Sequence, residues 1–162
     1  MTVFFDDSLR DQIERGEVWV ASDYIAFPPL ADGAGKSFGI ETGAQSCSAF
    51  VNVACEGTYI FSLREGCSNT FSSSITAINL NRNFTTVTYN FNVYDTVGGA
   101  GTCTRSLVAN RVITGGSKGA AGVAGLDTPI VLAPNTKYIY DFDLDADGDS
   151  YLGVEFFLRE IS

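Results

Sequence analysis

After Lys36 the chain alternates apolar and polar residues with a period of two, the periodicity of strands that bury one face. The clearest run is Thr85 to Asp95, with Val87, Tyr89, Phe91 and Val93 on one side and Thr88, Asn90 and Asn92 on the other. Lys137 to Leu144 places Tyr138, Tyr140, Phe142 and Leu144 in an inner row, with Asp141 and Asp143 outside. Tyr151 to Glu160 does the same with Leu152, Val154, Phe156 and Leu158. Shorter runs predict strands at Ser37 to Thr42, Ala49 to Val53, Thr58 to Arg64, Ser74 to Leu80, Arg105 to Ile113 and Ile130 to Leu132. Turns fall at Gly98-Gly99-Ala100-Gly101 and Pro134-Asn135-Thr136, and Gly115 to Gly125 reads as a long mobile loop, since Gly and Ala offer little to bury. About eight to ten short antiparallel strands without a central helix predict an all-β antiparallel sandwich, jelly-roll-like more than immunoglobulin-like. No internal repeat is visible.

The first 27 residues break this rhythm. Asp7 to Gly16 predicts one or two helical turns, with Asp7 or Ser8 as N-cap, Leu9 and Ile13 as an apolar stripe and Gly16 as the stop. Val18 to Ala21 predicts a short strand, and Phe27-Pro28-Pro29 closes the segment. The expected organisation is therefore a short N-terminal arm (1–27) followed by a β-sandwich domain (28–162).

Composition supports this picture. The 162 residues suit one domain with a sizeable core, and 12 Phe, 7 Tyr and 17 Gly favour strands joined by tight turns. A net charge of −9 disfavours nucleic acid and anionic membrane as partners. No apolar run is long enough for a transmembrane helix, and the N-terminus lacks the pattern of a secretory signal. With no His, mixed Cys/His zinc sites and His-activated nucleophiles are excluded. The four cysteines, Cys47, Cys55, Cys67 and Cys103, show no C-x-x-C spacing and are expected to be reduced thiols, although Cys67 and Cys103 each follow a strand closely enough to meet at one end of a sandwich.

Two motifs imitate ligand sites. Asp143-Leu144-Asp145-Ala146-Asp147-Gly148 begins like an EF-hand loop, but the twelfth position is Val154 and the flanks are strands, so a hairpin turn is expected, with a loosely held Ca²⁺ as the other reading. Gly33-Ala34-Gly35-Lys36-Ser37 resembles the end of a phosphate loop, yet Leu30 stands where the first Gly belongs and a strand follows. A carboxylate pair on a sandwich remains as a weak hydrolase reading. No metal, cofactor or catalytic set is expected, and the chain reads as a non-enzyme.

The remaining marks are Asn79-Leu80-Asn81-Arg82-Asn83 and Leu132-Ala133-Pro134-Asn135-Thr136-Lys137-Tyr138. Asn79, Asn81 and Asn83 are expected to close a turn through backbone hydrogen bonds, Arg82 to cross-brace loops, and Pro134 to set a corner. With Gly35-Lys36-Ser37-Phe38, Tyr59 to Glu65 and Val93-Tyr94, their order resembles that of a widespread family of small tailed-bacteriophage virion proteins, over about residues 35 to 160. That family commonly shows N-x-N-R-x-S/T, then V-Y, then L-x-P-x-T-x-Y; here Phe84 occupies the place of the small polar residue.

The resemblance implies a capsid decoration, or cement, protein: a homotrimer on the outer surface of the virion, bound to the major capsid protein of the same phage and made in the host cytoplasm. Phe4, Phe5, Leu9, Ile13 and Trp19 of the arm are the candidate capsid or inter-subunit contacts, because aromatic anchors dominate many interfaces. The alternative is a tail or head-fibre adhesin module that binds host glycans, with Ca²⁺ at Asp143, Asp145 and Asp147.

Overall fold

The computed structural model describes residues 7–30, 34–83, 89–114, 122–125, 129–145 and 150–161. One helix, α1 (Asp7–Glu14), precedes the strands, and Gly16 follows it at a φ of 73°, the left-handed stop expected of this glycine. The strands are β1 (Val18–Leu30), β2 (Gly35–Thr42), β3 (Ser46–Cys55), β4 (Thr58–Cys67), β5 (Thr70–Ile75) and β6 (Ile78–Asn79). They continue as β7 (Phe91–Gly98), β8 (Cys103–Thr114), β9 (Gly122–Gly125), β10 (Ile130–Leu132), β11 (Lys137–Leu144) and β12 (Ser150–Ile161). β3 shows why the pattern folds as it does: Cys47, Ala49, Val51, Val53 and Cys55 are buried, and every residue between them is partly exposed.

Two antiparallel sheets result. The first runs β10-β3-β12-β1-β6, with β9 also on β3, and the second runs β5-β7-β2-β11-β4-β8. Without the segment carrying β5, β6 and β7, and counting β9 with β10, eight strands remain: β1, β2, β3, β4, β8, β10, β11 and β12. The first, eighth, third and sixth of these lie in one sheet, and the second, seventh, fourth and fifth in the other. That is the strand order of a jelly roll, so the all-β sandwich is found in its jelly-roll form.

The core lies between the sheets and is largely aromatic. Phe156 of the first sheet meets Phe38 at 5.5 Å and Tyr140 at 5.1 Å, both edge to face, and Phe61 packs on Phe142 at 5.1 Å. The Tyr140 hydroxyl has no hydrogen-bond partner in this core, and burial pushes its pKa far upward. Tyr140→Phe is therefore expected to stabilise the protein by about 1 kcal/mol, read as a higher urea midpoint at an unchanged m-value. A lower midpoint would mean that the hydroxyl is hydrogen-bonded.

Several expectations are corrected. The arm does not end at residue 27: β1 pairs with β12 from Val18 onward, so residues 18–30 belong to the first sheet. The single strand expected at Ser74 to Leu80 is two, because the chain leaves the second sheet after Ile75 and joins the first at Ile78. Of the supposed loop at 115–125, residues 122–125 form β9 against β3, since backbone pairing needs no large side chains; residues 115–121 lie outside the described residues. The outer side of β11 is also partly covered: Ile139 is fully buried and Asp141 is 8 % exposed. Part of the cover is Phe71, whose ring lies so close over Gly39 that a Cβ there would stand 2.8 Å from it.

Candidate functional site

The two marks that carry the family resemblance are joints of the scaffold. Asn79 in β6 donates its side-chain N–H to the Gly16 carbonyl at 2.6 Å and accepts the Asn81 backbone N–H at 2.8 Å. Asn81 donates to the Glu14 carbonyl at 2.7 Å and accepts the Asn83 N–H at 3.1 Å. Carbonyls at a helix C-terminus lack intrahelical donors, so these amides cap α1 and fasten it to the sheet edge. Arg82 is exposed and makes no ion pair or hydrogen bond with the described residues. Asn79→Ala strands the Gly16 carbonyl and is expected to cost about 1.5 kcal/mol, measured by urea unfolding.

Pro134 sits in a corner held from three directions. Asn135, at a φ of 51°, donates its N–H to the Gly43 carbonyl at 2.7 Å. The buried Thr42 hydroxyl donates to the Ala133 carbonyl at 2.6 Å and accepts the Thr136 N–H at 3.0 Å. The Tyr138 hydroxyl accepts the Ala133 N–H at 2.6 Å and donates to Glu65 Oε1 at 2.9 Å. Burial pushes the Tyr138 hydroxyl up to about 12, so it stays a donor at all ordinary pH values. The Tyr of the L-x-P-x-T-x-Y pattern, Tyr138, is thus one clamp of this corner and Thr42, outside the pattern, is the other, while the pattern's Thr136 donates its hydroxyl to the Pro134 carbonyl at 2.9 Å.

A polar cluster that the alternation concealed lies on the outer face of the second sheet. Ser37 of β2 donates to Asp141 Oδ1 at 2.6 Å, and Arg64 of β4 donates to Asp141 Oδ2 through Nε at 2.9 Å and also through Nη2. Every charge in the cluster is matched, so it ties three adjacent strands and has no unused group to offer a substrate. Next to the Thr42 corner an open cleft of about 270 Å³ is lined by Glu41, Thr42, Gly43, Tyr89, Asn90 and Asn92 together with Phe91. An aromatic ring beside amides and a carboxylate suits a small polar ligand such as a sugar.

The two ligand-site imitations are described only in part, since residues 33 and 146–149 lie outside the described residues. Lys36 lies in β2 with its ammonium 3.9 Å from Asp23 and over the Phe38 ring, not at a helix N-terminus. Asp143 and Asp145 are exposed, Asp147 lies outside the described residues, and no metal-ligating group of three or more side chains forms among the described residues. No described helix is long and apolar enough to cross a membrane.

The cysteine expectation is overturned for one pair. Cys67 and Cys103 stand opposite each other on β4 and β8, Cα atoms 4.0 Å apart, and are joined by a disulfide. Strand register brings these thiols together, which spacing alone did not show. The bridge closes the base of the segment that carries β5 to β7. Cys47 and Cys55 are free and buried, and burial pushes the Cys47 thiol up to about 12.

Of the five arm residues proposed as contacts, only Ile13 and Trp19 have side chains among those described. Phe4 and Phe5 lie outside the described residues, and so does the side chain of Leu9, while Ile13 is half-buried on α1. Trp19 is 5 % exposed and packs edge-on against Phe91 at 5.8 Å, so it serves its own core and is not available to a partner.

Alternation also concealed a surface row. Ile78, Val20, Phe157 and Phe50 stand in direct register across β6, β1, β12 and β3, on the outward face of the first sheet. Ile78 is 49 % exposed, and Val131, beyond on β10, is 62 % exposed. The available signal was Phe50 and Phe157, apolar at positions where the period calls for polar residues.

No family model, curated protein or solved structure matches the chain.

Proposed function

We propose that this chain is a structural protein of a tailed-bacteriophage virion, a decoration protein that attaches to the major capsid protein from outside and holds the shell against the pressure of packaged DNA. The observation that carries the proposal is the jelly-roll strand order, an architecture recurrent in viral capsid and lectin domains, with the family-like motifs at its joints. Fold-level analogy of this kind bears on architecture first and on function second. The net charge of −9 adds to it, because an acidic surface does not adhere to DNA during assembly. Many weak contacts repeated over a shell sum to durable attachment. The deciding experiment is the copy number in purified virions by quantitative mass spectrometry. Hundreds of copies in fixed ratio to the major capsid protein are expected; a handful would end the proposal and point to a tail component.

The cleft beside Tyr89, Asn90 and Glu41 favours a second reading, an adhesin module that binds host glycans. Chemical-shift changes confined to that cleft on titration with sugars would support it.

A further inference from the structure

We infer that the outer face of the first sheet is a contact between two copies of this chain, related by a two-fold axis along the row Ile78, Val20, Phe157 and Phe50. The outward face of an antiparallel sheet ordinarily shows polar residues, and this one instead carries an apolar row across four strands, exposed at Ile78 and half-buried at Val20, Phe157 and Phe50, while Val18 beside it is already covered by the chain itself.

The residues flanking the row identify the occupant. On β12 the outward positions read Gly153, Glu155, Phe157, Arg159 and Ile161. A two-fold axis along the row opposes each position to its mirror about Phe157. Phe157 then meets Phe157, Arg159 meets Glu155, and Ile161 lies over Gly153, a large side chain over the absence of one. On β3 the same operation brings Ser48 opposite Asn52. The charges are suited to this exchange. The half-buried Arg159 makes no side-chain hydrogen bond or close ion pair among the described residues, and its charge acts within its own chain on Glu17. Glu155 is exposed and accepts from Asn52 through Oε2. Four strand residues span about 13 Å, so the two symmetry-related Arg159–Glu155 pairs stand about 13 Å apart on either side of the Phe157 contact, each within side-chain reach across sheets packed about 10 Å apart. Apolar centre, complementary charges and large-on-small packing come from one operation applied to one strand, so a second copy is favoured over an unrelated partner.

A dimer through this face differs from the lone threefold trimer that the family resemblance implies. It also stands apart from the virion proposal, since copy number in virions and pairing in solution are separate measurements.

The test is sedimentation equilibrium of the full chain at micromolar concentrations, with circular dichroism to verify folding. The wild type is expected at the mass of a dimer, or of a hexamer built from dimers. Glu155→Arg and Arg159→Glu each set like charges against each other and should weaken association at least about tenfold, while the double exchange restores it. Phe157→Glu, at the centre of the row, should abolish the two-fold contact, giving a monomer where the wild type is a dimer and a trimer where it is a hexamer. A wild type that stays monomeric or sediments as a lone trimer overturns the inference. Single exchanges without effect, or a double exchange that fails to restore association, also overturn it.

Discussion

Asp141→Ala is expected to destabilise the protein by about 3 kcal/mol, seen as a lower urea midpoint. Asp141 is 8 % exposed and receives hydrogen bonds from Ser37 on one neighbouring strand and from Arg64 on the other. Removing the carboxylate leaves the Ser37 hydroxyl and the Arg64 guanidinium facing an apolar methyl at the centre of the second sheet. The Arg64 side chain is 41 % exposed and can turn toward water, which keeps the loss at the low end for a broken buried pair. Asp141→Asn preserves the shape and one acceptor, so it should cost about half as much. A double-mutant cycle with Arg64→Ala separates the pair from the rest and should show a coupling of about 1–2 kcal/mol. An Asp141→Ala loss below about 0.5 kcal/mol would mean the cluster is ornamental to stability.

Removing the Cys67–Cys103 bridge should cost a comparable amount. The two cysteines are 36 residues apart, and a cross-link over a loop of that size contributes about 2–4 kcal/mol, chiefly by restricting the unfolded chain. Cys67→Ser/Cys103→Ser should therefore lower Tm by roughly 5–12 °C, and dithiothreitol should do the same to the wild type. Thiol counting gives an independent check. The native protein should react with no thiol reagent at pH 8, because Cys47 and Cys55 are buried and the Cys47 thiol is pushed up to about 12. Unfolding without reductant should expose those two thiols, and reduction should raise the number to all four cysteines. Four reactive thiols in the unreduced, unfolded protein would show that the bridge does not form.

The strands with one clean apolar face were legible residue by residue. Tyr138, Tyr140, Phe142 and Leu144 of β11 and Leu152, Val154, Phe156 and Leu158 of β12 all face the core as their period requires. Legibility failed where a second layer or a neighbouring strand intervened. Asp141 reads as an outward, solvated acid until Arg64 and Ser37 are brought beside it. Trp19 reads as an arm residue until β1 takes its place between β12 and β6. Ser74 to Leu80 reads as one strand, because periodicity is blind to a change of sheet.

The sequence by itself determined the all-β class, the inward faces of the long strands, the α1 stop at Gly16 and the two joints at Asn79 to Asn83 and Pro134. Those features depend on near neighbours: the period-two pleat, left-handed glycine geometry and side chains that bond backbone a few residues away. Tertiary structure decided the jelly-roll order, the Cys67–Cys103 bridge, the Asp141 cluster and the apolar row across β6, β1, β12 and β3. Each joins residues far apart in the chain through strand register, and register is fixed by how two sheets bury a common core, a property that no single stretch of sequence contains.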